Sequence, residues 1–571
     1  MERWVMLRKG ADFEMISEKF HVSKWIASLI RNRDVVGVES IDFYLNGSLD
    51  DLHSGFLMKD MEKAAAILRQ KLKEKKPIRV IGDYDVDGIN ATYVLYEGLK
   101  RLGGIVDYDI PERLKDGYGL NRRLLEQAYG DGIDTIVTCD NGISAREEIE
   151  YGKSMGMTII VTDHHEVPFD ETNGKKVYKV PKADAVIDQK QSDCPYPFKE
   201  LCGAAVAYKL MECLYQVMEC GKENILDLIE NVAMATVADI MELVGENRIF
   251  VREGLRMIGH TKNKGLKALI TCNGLDPEHL TAYSIGFVIG PCLNASGRLD
   301  TAKRALRMLT AKDPGEADLL AGELKALNEN RKDMTARAVE EAVSLIESTE
   351  LRADPVLVVY LPKCHESLAG IVAGKIREKY YRPVYVLTDG EEGVKGSGRS
   401  IEGYSMYEKL NRCAPLLTKF GGHTMAAGFS LPKENVDEFR RLLNADANLT
   451  EEDLTEKVVI DMVLPFSVIT EEFIRDLSLL EPFGKGNAKP VFAARNVKLK
   501  NPRIMGKNRN VFKAFGIDES GKGIDVLAFG DVMDVMETVE KNNGILTITF
   551  YPQINEFRGE KTPQIVVTHY R

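Results

Sequence analysis

The sequence of 571 residues lacks long apolar runs and any sign of a secretion signal. No stretch offers the ~18 uninterrupted apolar residues that a membrane-spanning helix requires, so we expect no membrane crossing. The opening residues, Met1 to Lys9, have neither a long apolar core nor a small-residue cleavage site, which are the marks of a signal peptide. We therefore expect a cytoplasmic protein.

Cysteine is also scarce, and acidic residues outnumber basic ones. The 9 cysteines lie between Cys139 and Cys413 and never form a Cys-x-x-Cys pair, which argues against a zinc ribbon or a disulfide framework. We expect them to be reduced residues of the core. The net charge of −11 excludes a uniformly basic nucleic-acid binder, so any site for a polyanion must be locally basic.

The chain is too long for a single core. Its hydrophobic fraction of 44% and charged fraction of 29% are typical of soluble globular proteins, and its length predicts roughly three or four domains. Changes of pattern predict an N-terminal helical segment at residues 1–54, an α/β domain at 55–250, a helical region with a long connecting helix at 251–349, a second α/β domain at 350–449 and a β-rich domain at 450–571.

The first α/β domain contains apolar runs that alternate with helical patterns. The runs are Ile78–Ile81, Ile105–Ile110, Asp134–Cys139 and Thr158–Thr162. This alternation predicts βαβ units and a parallel sheet.

Acidic residues follow three of these runs. Asp83, Asp85 and Asp87 come after the first, and on its own this pattern is more often a solvated acidic turn. However, Asp140-Asn141-Gly142 and Asp163-His164-His165 follow two further runs. Because parallel strands end at one edge of a sheet, we expect these side chains in one crevice, where cations would relieve their repulsion. The sequence therefore predicts a metal site.

Asp239 is a further acid, within the apolar stretch Val237-Ala238-Asp239-Ile240-Met241. A carboxylate in such surroundings needs a partner. It is either an N-cap, a member of an ion pair or another metal ligand, and the spacing does not decide between these interpretations.

A long helix is predicted after Lys312-Asp313-Pro314, where an N-cap precedes proline at the first helical position. Apolar residues recur without a break as far as Leu345. Some thirty residues span about 45 Å, which is enough to connect two domains across a cleft.

Glycine clusters mark the second α/β domain. Gly396-Ser397-Gly398-Arg399 and Gly421-Gly422-His423 allow backbone N–H groups to approach phosphate oxygens, and arginine can bind a phosphate through two hydrogen bonds. Each cluster alone is usually only a turn. Together they make a polyanion-binding face a reasonable hypothesis.

The last segment contains short alternating strands with Gly and Asn turns, which predict a small β-barrel. Between Phe483 and Lys513 there is no acid, and the basic residues are Lys485, Lys489, Arg495, Lys498, Lys500, Arg503, Lys507, Arg509 and Lys513. This local reversal of charge predicts nucleic-acid binding. Phe492, Phe512 and Phe515 either stack on bases or belong to the core of the barrel.

These features together resemble the DHH phosphoesterases, and within them the bacterial single-strand-specific exonucleases of the RecJ family. The likeness rests on Asp83-Tyr84-Asp85-Val86-Asp87-Gly88, Asp140-Asn141-Gly142, Asp163-His164-His165, Val237-Ala238-Asp239, Gly421 to Gly428 and Glu481 to Asn487. It spans nearly the whole chain. It implies an α/β fold in which a DHH domain and a DHHA1-like domain, joined by the long helix, surround a catalytic cleft, followed by an OB-type β-barrel.

The resemblance also implies substrate-binding residues, namely Arg113, Asn294, Arg298, His365, Ser397, Arg399, Gly421, Gly422 and His423. In the family, the positions of Ser397 and Arg399 grip the 5′ end of the strand. Two positions depart from the family pattern. Ile81 stands where many members have a histidine, and the segment at Cys364-His365 lacks the tryptophan that usually precedes the histidine.

The activity implied is a single-stranded-DNA-specific 5′→3′ exonuclease that releases 5′-mononucleotides in DNA repair and recombination. Two cations about 3.5–4 Å apart would activate water and polarise the scissile phosphate. We expect one ion to bind Asp83, Asp85 and Asp140, and the other to bind Asp87, Asp140, His164 and Asp239, with His165 facing substrate or orienting the ligands. An imidazole among carboxylates favours Mn²⁺, with Mg²⁺ as the alternative.

Two other functions stay open. One is a DHH phosphodiesterase for short oligonucleotides or cyclic dinucleotides, against which the basic barrel and the long helix argue. The other is an inactive scaffold that binds single strands, against which the complete set of acids argues. Beyond single-stranded DNA, the resemblance alone implies a single-strand-binding protein and a RecQ-type helicase as partners.

Overall fold

The computed structural model describes residues 2–113, 115–172, 175–391, 393–557 and 559–571. None of its described helices is both long and apolar enough to cross a membrane. All 9 cysteines are free, and those at positions 139, 194, 202, 213, 292 and 413 are buried, whereas the others are partly exposed.

The N-terminal segment packs against the C-terminal barrel, although the two are far apart in sequence. It consists of a strand, Glu2–Met6, and three helices, Phe13–Phe20, Lys24–Asn32 and Val38–Asn46. The strand pairs in parallel with Glu456–Ile460. Ile26 and Leu29 share a hydrophobic core with Phe466 of the C-terminal segment. The helices were predicted from the sequence, whereas this partner and the strand were not.

The first α/β domain has a five-stranded sheet in which all neighbouring strands are parallel. The strand order is Val106–Asp109, Ile78–Ile81, Thr135–Cys139, Thr158–Thr162 and Ala185–Ile187. The four predicted strands and their parallel arrangement are confirmed. The helices are Met61–Lys73, Val86–Arg101, Arg122–Gly130, Arg146–Ser154, Gly203–Val217, Ile229–Ala238, Gly245–Ile258 and Lys264–Cys272, and Phe169–Thr172 pairs with Lys175–Tyr178 in a separate hairpin.

The long helix connects this domain to the second α/β domain, as predicted. It runs from Pro314 to Ser348, and the side chain of Asp313 accepts a hydrogen bond from the Glu316 N–H at 2.8 Å. Leu320 belongs to the core of the first domain and Ile346 to that of the second. Before it come the helical stretches Ala282–Ser284, Ile285–Ile289, Gly290–Leu299 and Lys303–Thr310.

The second α/β domain has a mixed five-stranded sheet. Its strand order is Lys419–Gly422, Ala426–Leu431, Gly393–Arg399, Val384–Gly390 and Leu357–Tyr360, and its helices are Ala369–Tyr380, Met406–Arg412 and Val436–Ala445.

The C-terminal sheet closes into a barrel, because the strand Phe492–Met505 pairs with both Val511–Ile517 and Ile545–Phe557. Its other strands are Met462–Val463, Gly523–Phe529 and Glu560–Tyr570, and its helices are Glu471–Leu477 and Val532–Lys541. Phe492 and Phe512 lie in the barrel core, whereas Phe515 is 42% exposed. Of the three phenylalanines considered for base stacking, only Phe515 is therefore accessible.

Candidate metal centre

The first three acids surround the start of the helix Val86–Arg101. Asp85 caps this helix, with Oδ1 accepting from the Gly88 N–H at 3.0 Å. Asp87, in its first turn, accepts from the N–H groups of Gly203 at 2.6 Å and Ala204 at 2.7 Å, where another helix begins. Helix N-termini carry partial positive charge, which favours carboxylates. The chain therefore holds these acids in place before any cation is considered.

Asp140 sits in a strained and crowded position at the end of its strand. Its φ of 59° lies in the left-handed region, which non-glycine residues rarely adopt. A Cβ on Gly203 would lie 2.7 Å from the Asp140 Cβ, so only glycine allows this approach. Backbone strain of this kind persists where the surrounding structure enforces it, often at functional sites.

The structure brings the six predicted ligands together around Asp140 and His164. One group of ligand atoms, all within 4.8 Å of one another, belongs to Asp83, Asp85 and Asp140, and a second to Asp87, His164 and Asp239. The His164 Nε2 lies 3.1 Å from Asp140 Oδ1, 3.4 Å from Asp87 Oδ2 and 3.8 Å from Asp239 Oδ2. Asp140 belongs to the first group and lies next to His164 of the second, and its role as a bridge between two ions stays a prediction.

Asp239 is at the C-terminal cap of the helix Ile229–Ala238, so the N-cap interpretation of this residue is wrong. It has no salt bridge to Lys or Arg within the described part of the chain. Its close neighbour is His164, which favours the interpretation as a metal ligand.

Burial and mutual repulsion raise the pKa values of this carboxylate cluster. Burial, followed by the charge of Asp85, raises the pKa of Asp87 to about 7. Burial and then Asp87 raise that of Asp239 to about 8. The pKa values of Asp83 and Asp140 also lie well above the usual range, chiefly because of burial and then neighbouring carboxylates. Without cations, the cluster therefore holds protons near neutral pH.

The donor set fits divalent cations. Burial and then the charge of His165 lower the pKa of His164 to about 3, so its imidazole is neutral and available as a ligand. Its Nδ1 is buried and finds no hydrogen-bond partner among the described residues. Carboxylate oxygens with one imidazole nitrogen suit Mn²⁺, and the oxygens alone suit Mg²⁺.

Asp163 orients its neighbours and is not itself a member of either ligand group. Its Oδ1 accepts from the His164 N–H at 2.7 Å and lies 2.7 Å from the His165 Nδ1, while Oδ2 accepts from the Ile143 N–H at 2.9 Å. Burial opposes protonation of His165, but the hydrogen bond to Asp163 and the charges of Asp163, Asp239 and Asp87 together outweigh it and raise the pKa of His165 to about 9. His165 therefore presents a cation beside the centre.

Tyr118 is a site residue that sequence reasoning did not single out. Its hydroxyl donates to the Asp140 carbonyl at 2.7 Å and lies 3.2 Å from the His165 Nδ1. The only signal in the sequence was its place in Gly117-Tyr118-Gly119. Tyr118 and His165 line a cavity of about 380 Å³ that His423 of the second α/β domain reaches from the other side.

A second cavity, of about 420 Å³, lies in the cleft between the two α/β domains. Its walls include Tyr84 and Arg113 from the first domain and Lys395, Ser397 and Gly421 from the second. The Cζ of Arg113 lies 5.0 Å from the centroid of the Tyr84 ring. The cleft therefore has basic residues on both sides and small residues on the side of the second domain.

Three predicted arginines, Arg113, Arg298 and Arg399, lie in or next to this cleft and form no salt bridge with any described residue. The Arg298 Nη1 donates to the Ser367 carbonyl at 2.7 Å, and the Arg399 Nη1 donates to the Gly398 carbonyl at 2.8 Å. Burial, then Arg113 and Arg331, lower the pKa of Arg298 to about 10, and burial, then Arg377 and Arg113, lower that of Arg399. Partly buried cations that repel one another form a site for an anion such as phosphate.

Arg331 and Arg377 were missed by sequence reasoning. They lie on the helices Pro314–Ser348 and Ala369–Tyr380, where arginine is an ordinary surface residue and no glycine motif marks them. The Nε of Arg331 donates to the Asn328 Oδ1 at 3.0 Å, and the charge of Arg331 contributes to lowering the pKa of Arg298.

The remaining predicted residues differ in their placement. Asn294 is half-buried on the same helix as Arg298, Gly421 lines the cleft cavity, and Gly422 is exposed. His365 does not line either cavity. Its Nδ1 accepts from the Ser367 N–H at 3.3 Å and caps a short helical turn, so its visible role is to hold the segment whose carbonyl binds Arg298.

The basic run of the barrel is largely solvent-exposed. Lys489 stacks on the Tyr551 ring at 3.6 Å, and Lys513 pairs with Asp525 at 2.7 Å. The other members form no salt bridge with any described residue and are exposed, namely Lys485, Arg495, Lys498, Lys500, Arg503, Lys507 and Arg509. Cations that are not internally neutralised are available for phosphates.

Three family models match the chain: "DHH family, N-terminal domain" at residues 77–237, "DHHA1 domain" at 353–448 and "RecJ OB domain" at 460–569. The domain boundaries given above stay a prediction. The chain is 35% identical over 570 residues to the single-stranded-DNA-specific exonuclease RecJ of Bacillus subtilis, covering 99% of this chain and 70% of that protein.

Solved structures of RecJ from Thermus thermophilus have the same architecture. The complex with Mn²⁺ matches with a TM-score of 0.83 at 28% identity, covering 100% of this chain and 79% of the other. The complex with Mg²⁺ matches with a TM-score of 0.78 at 26% identity, covering 100% of this chain and 78% of the other.

Proposed function

The chain belongs to the RecJ family of single-stranded-DNA-specific exonucleases, and from this premise we propose that it removes nucleotides from the 5′ end of single-stranded DNA by metal-dependent hydrolysis of phosphodiester bonds. One observation carries the proposal. Two sets of acidic ligand residues meet near Asp140 in the first α/β domain, and Arg113, Arg298 and Arg399 lie at the cleft between this domain and the second.

The metal centre would hold divalent cations. Asp83, Asp85 and Asp140 form one set of ligands, and Asp87, Asp140, His164 and Asp239 the other. When bound, such cations polarise a phosphate and lower the pKa of water. His164 contributes a neutral imidazole, and for that reason Mn²⁺ is our first choice, with Mg²⁺ as the alternative.

The chain's own residues add orientation and charge around this centre. Asp163 fixes the ring of His165, and Tyr118 bonds to the Asp140 carbonyl, so both side chains are directed at the cavity above the ligands. His165 is hydrogen-bonded to Asp163, and in its protonated form it can stabilise negative charge on a phosphate oxygen.

The arginines beside the cleft offer a site for a terminal phosphate, whereas the preference for the 5′ end rests on the resemblance. A terminal phosphate carries more charge than an internal one and can accept from several cations at once. Arg399 lies beside Ser397, and a Cβ on Gly370 would meet both side chains at 2.8 Å, so glycine there keeps this pocket open. We assign the terminal phosphate to Ser397 and Arg399, with Arg298 and Arg113 beside it.

The barrel binds the rest of the strand through its exposed cations. A substrate of a few nucleotides would not need this surface, which speaks against a phosphodiesterase for short oligonucleotides or cyclic dinucleotides. A role in DNA repair and recombination is consistent with the family. The cytoplasmic location, and the single-strand-binding protein and RecQ-type helicase as partners, are part of the proposal and rest on resemblance and sequence alone.

The decisive experiment is digestion of single strands labelled at the 5′ or the 3′ end, with Mn²⁺ and with a chelator. We expect early release of the 5′ label as mononucleotide and no activity with the chelator. A blunt-ended duplex, tested as a further substrate, should remain uncut. A matched control is Asp140→Asn, which keeps the size of the side chain but removes its negative charge. Early release of the 3′ label would contradict the polarity, and cleavage by the variant at the wild-type rate would contradict the site.

A further inference from the structure

The helix Gly245–Ile258 carries a buried cation whose partners belong to other parts of the chain. Arg248 is 2% exposed. Its Nε donates to the Tyr44 carbonyl at 2.9 Å, its Nη1 to the Leu480 carbonyl at 3.0 Å and its Nη2 to the Leu479 carbonyl at 3.0 Å. Its Cζ also lies 3.9 Å from the centroid of the Tyr44 ring. One guanidinium thus connects the first α/β domain, the N-terminal helices and the segment that leads into the barrel.

This cation has no acidic partner in a salt bridge within the described ranges. Burial lowers the pKa of Arg248 to about 10, so the side chain remains charged at neutral pH. A buried, unpaired charge is costly, and apolar residues often fill such a position with equal or better stability. The arginine adds directional hydrogen bonds. Its nitrogen donors all have acceptors only while the carbonyls of the N-terminal helices and of the segment before the barrel stay in place.

The same stretch of chain contains a metal ligand and the contact with the barrel. Asp239 stands at its start. Between Asp239 and Arg248, the Leu243 N–H donates to the carbonyl of Lys485 at 2.7 Å. A Cβ on Gly486 would lie 3.0 Å from the Glu242 Cβ, so the two segments pack closely. Lys485 is the first cation of the basic run.

The segment that receives Arg248 is itself held closed. The Asn487 Nδ2 donates to the Leu480 carbonyl at 2.8 Å and to the Pro482 carbonyl at 2.7 Å. The Tyr44 hydroxyl lies 3.0 Å from the Asn487 Oδ1. The Leu480 carbonyl therefore accepts from both Arg248 and Asn487, and the connection forms one network.

We propose that Arg248 is a positioning residue that fixes the barrel against the segment carrying Asp239, so that a strand held along the barrel cations is directed into the metal centre. The inference rests on the proposed function. Arg248 does not touch substrate, and its effect depends on strand length. A short strand that fills only the cleft is independent of Arg248, whereas a long strand that also reaches the barrel depends on it.

The test compares Arg248→Met, which removes the donors but keeps an apolar chain of similar length, with Arg252→Met. Arg252 lies one turn further along the same helix and donates to the carbonyls of Leu45 and Gly47, but not to the barrel segment. It therefore reports the loss of contacts with the N-terminal helices alone. Binding of long and short single strands, its salt dependence, single-turnover cleavage and hydrogen exchange are measured for both variants and the wild type.

We expect Arg248→Met to weaken binding of long strands by about 100-fold, because two linked sites lose their mutual effective concentration. Binding and single-turnover cleavage of short strands should be unchanged, and exchange should rise at Leu479 and Leu480. Arg252→Met should leave the difference between long and short strands as in the wild type. Equal losses on short and long strands, or an unchanged preference for long ones, would overturn the proposal.

A second variant covers the case in which Arg248→Met does not fold. Tyr44→Phe keeps the ring under the guanidinium and removes only the hydroxyl, which reaches the Asn487 Oδ1 and the Leu480 carbonyl. It should shift the preference for long strands in the same direction by a smaller factor, and no shift would count against the network. If the wild type itself fails to cut either strand, the proposed function is wrong. If the wild type is active but the variants affect long and short strands equally, only this inference is wrong.

Discussion

The metal centre makes a prediction about how stability depends on pH. In the metal-free protein, the pKa of Asp87 rises from 3.8 to about 7 and that of Asp239 from 3.8 to about 8. At pH values below the pKa of the unfolded state, both the folded and the unfolded protein bind these protons, so the cluster does not lower the free energy of unfolding in that range. As the pH rises, the unfolded state releases them first, and the folded metal-free protein loses stability until its own pKa values are passed.

The slope of this effect follows from linkage. Each proton that the folded state retains and the unfolded state has lost changes the free energy of unfolding by about 1.4 kcal/mol per pH unit. Asp87 and Asp239 together should therefore contribute a loss of about 3 kcal/mol per pH unit between about pH 5 and pH 7 to the stability of the metal-free protein. Cations displace the same protons, so the affinity for Mn²⁺ should rise by up to about 100-fold per pH unit in that window.

The assay is thermal unfolding and Mn²⁺ titration calorimetry across this window, with the protein first freed of metal. Calorimetry in two buffers of different ionisation enthalpy gives the number of protons released. The matched control is Asp239→Asn, which removes one of the two counted protons and should about halve the slope. A stabilisation by Mn²⁺ that does not change with pH, or binding without proton release, would refute the reasoning.

Three further outcomes are expected. Asp140→Ala should abolish cleavage but preserve the fold and most DNA binding, because this carboxylate stands between both ligand groups; turnover at the wild-type rate would contradict the two-ion assignment. Arg399→Ala should raise KM most for 5′-phosphorylated strands, and equal effects on 5′-hydroxyl strands would show that it does not bind the end. Lys498→Gln with Lys500→Gln should reduce the slope of log K against log salt by about 0.7 for each lost phosphate contact while single-turnover cleavage of a bound end continues. An unchanged slope would remove these lysines from the DNA surface.

The centre was predictable because its signals are local. A short apolar run such as Ile78–Ile81 predicts a buried strand. The polar residues directly after it then lie at the edge of the sheet. Three such ends in one parallel sheet converge whatever the details of the loops. The distinction between Asp140, which joins the ligand groups, and Asp163, whose oxygens are occupied by N–H donors, depends on backbone directions that no spacing encodes.

The partners of the N-terminal segment were not predictable in the same way. An amphipathic helix shows which face is buried but not what covers it. Here Asn32 donates to the carbonyl of Asp461, and the Arg33 Nη2 donates to the Ala488 carbonyl at 2.6 Å, so the cover comes from the opposite end of the chain. Arg331 and Arg377 were missed for a related reason. An arginine on a helix carries no sequence motif, and only the packing of the neighbouring domain shows what it faces.

This shared core decides how the barrel can be studied. Removing the chain from about residue 450 would take away the strand Glu456–Ile460 that pairs with Glu2–Met6, together with the apolar partners of Ile26 and Leu29. A truncated protein would expose that apolar surface, and its loss of activity would not distinguish a missing DNA surface from a damaged fold. Exchange of surface charges leaves the shared core intact. The contribution of the barrel to strand binding is therefore best measured by single charge changes and by the length dependence that Arg248 controls.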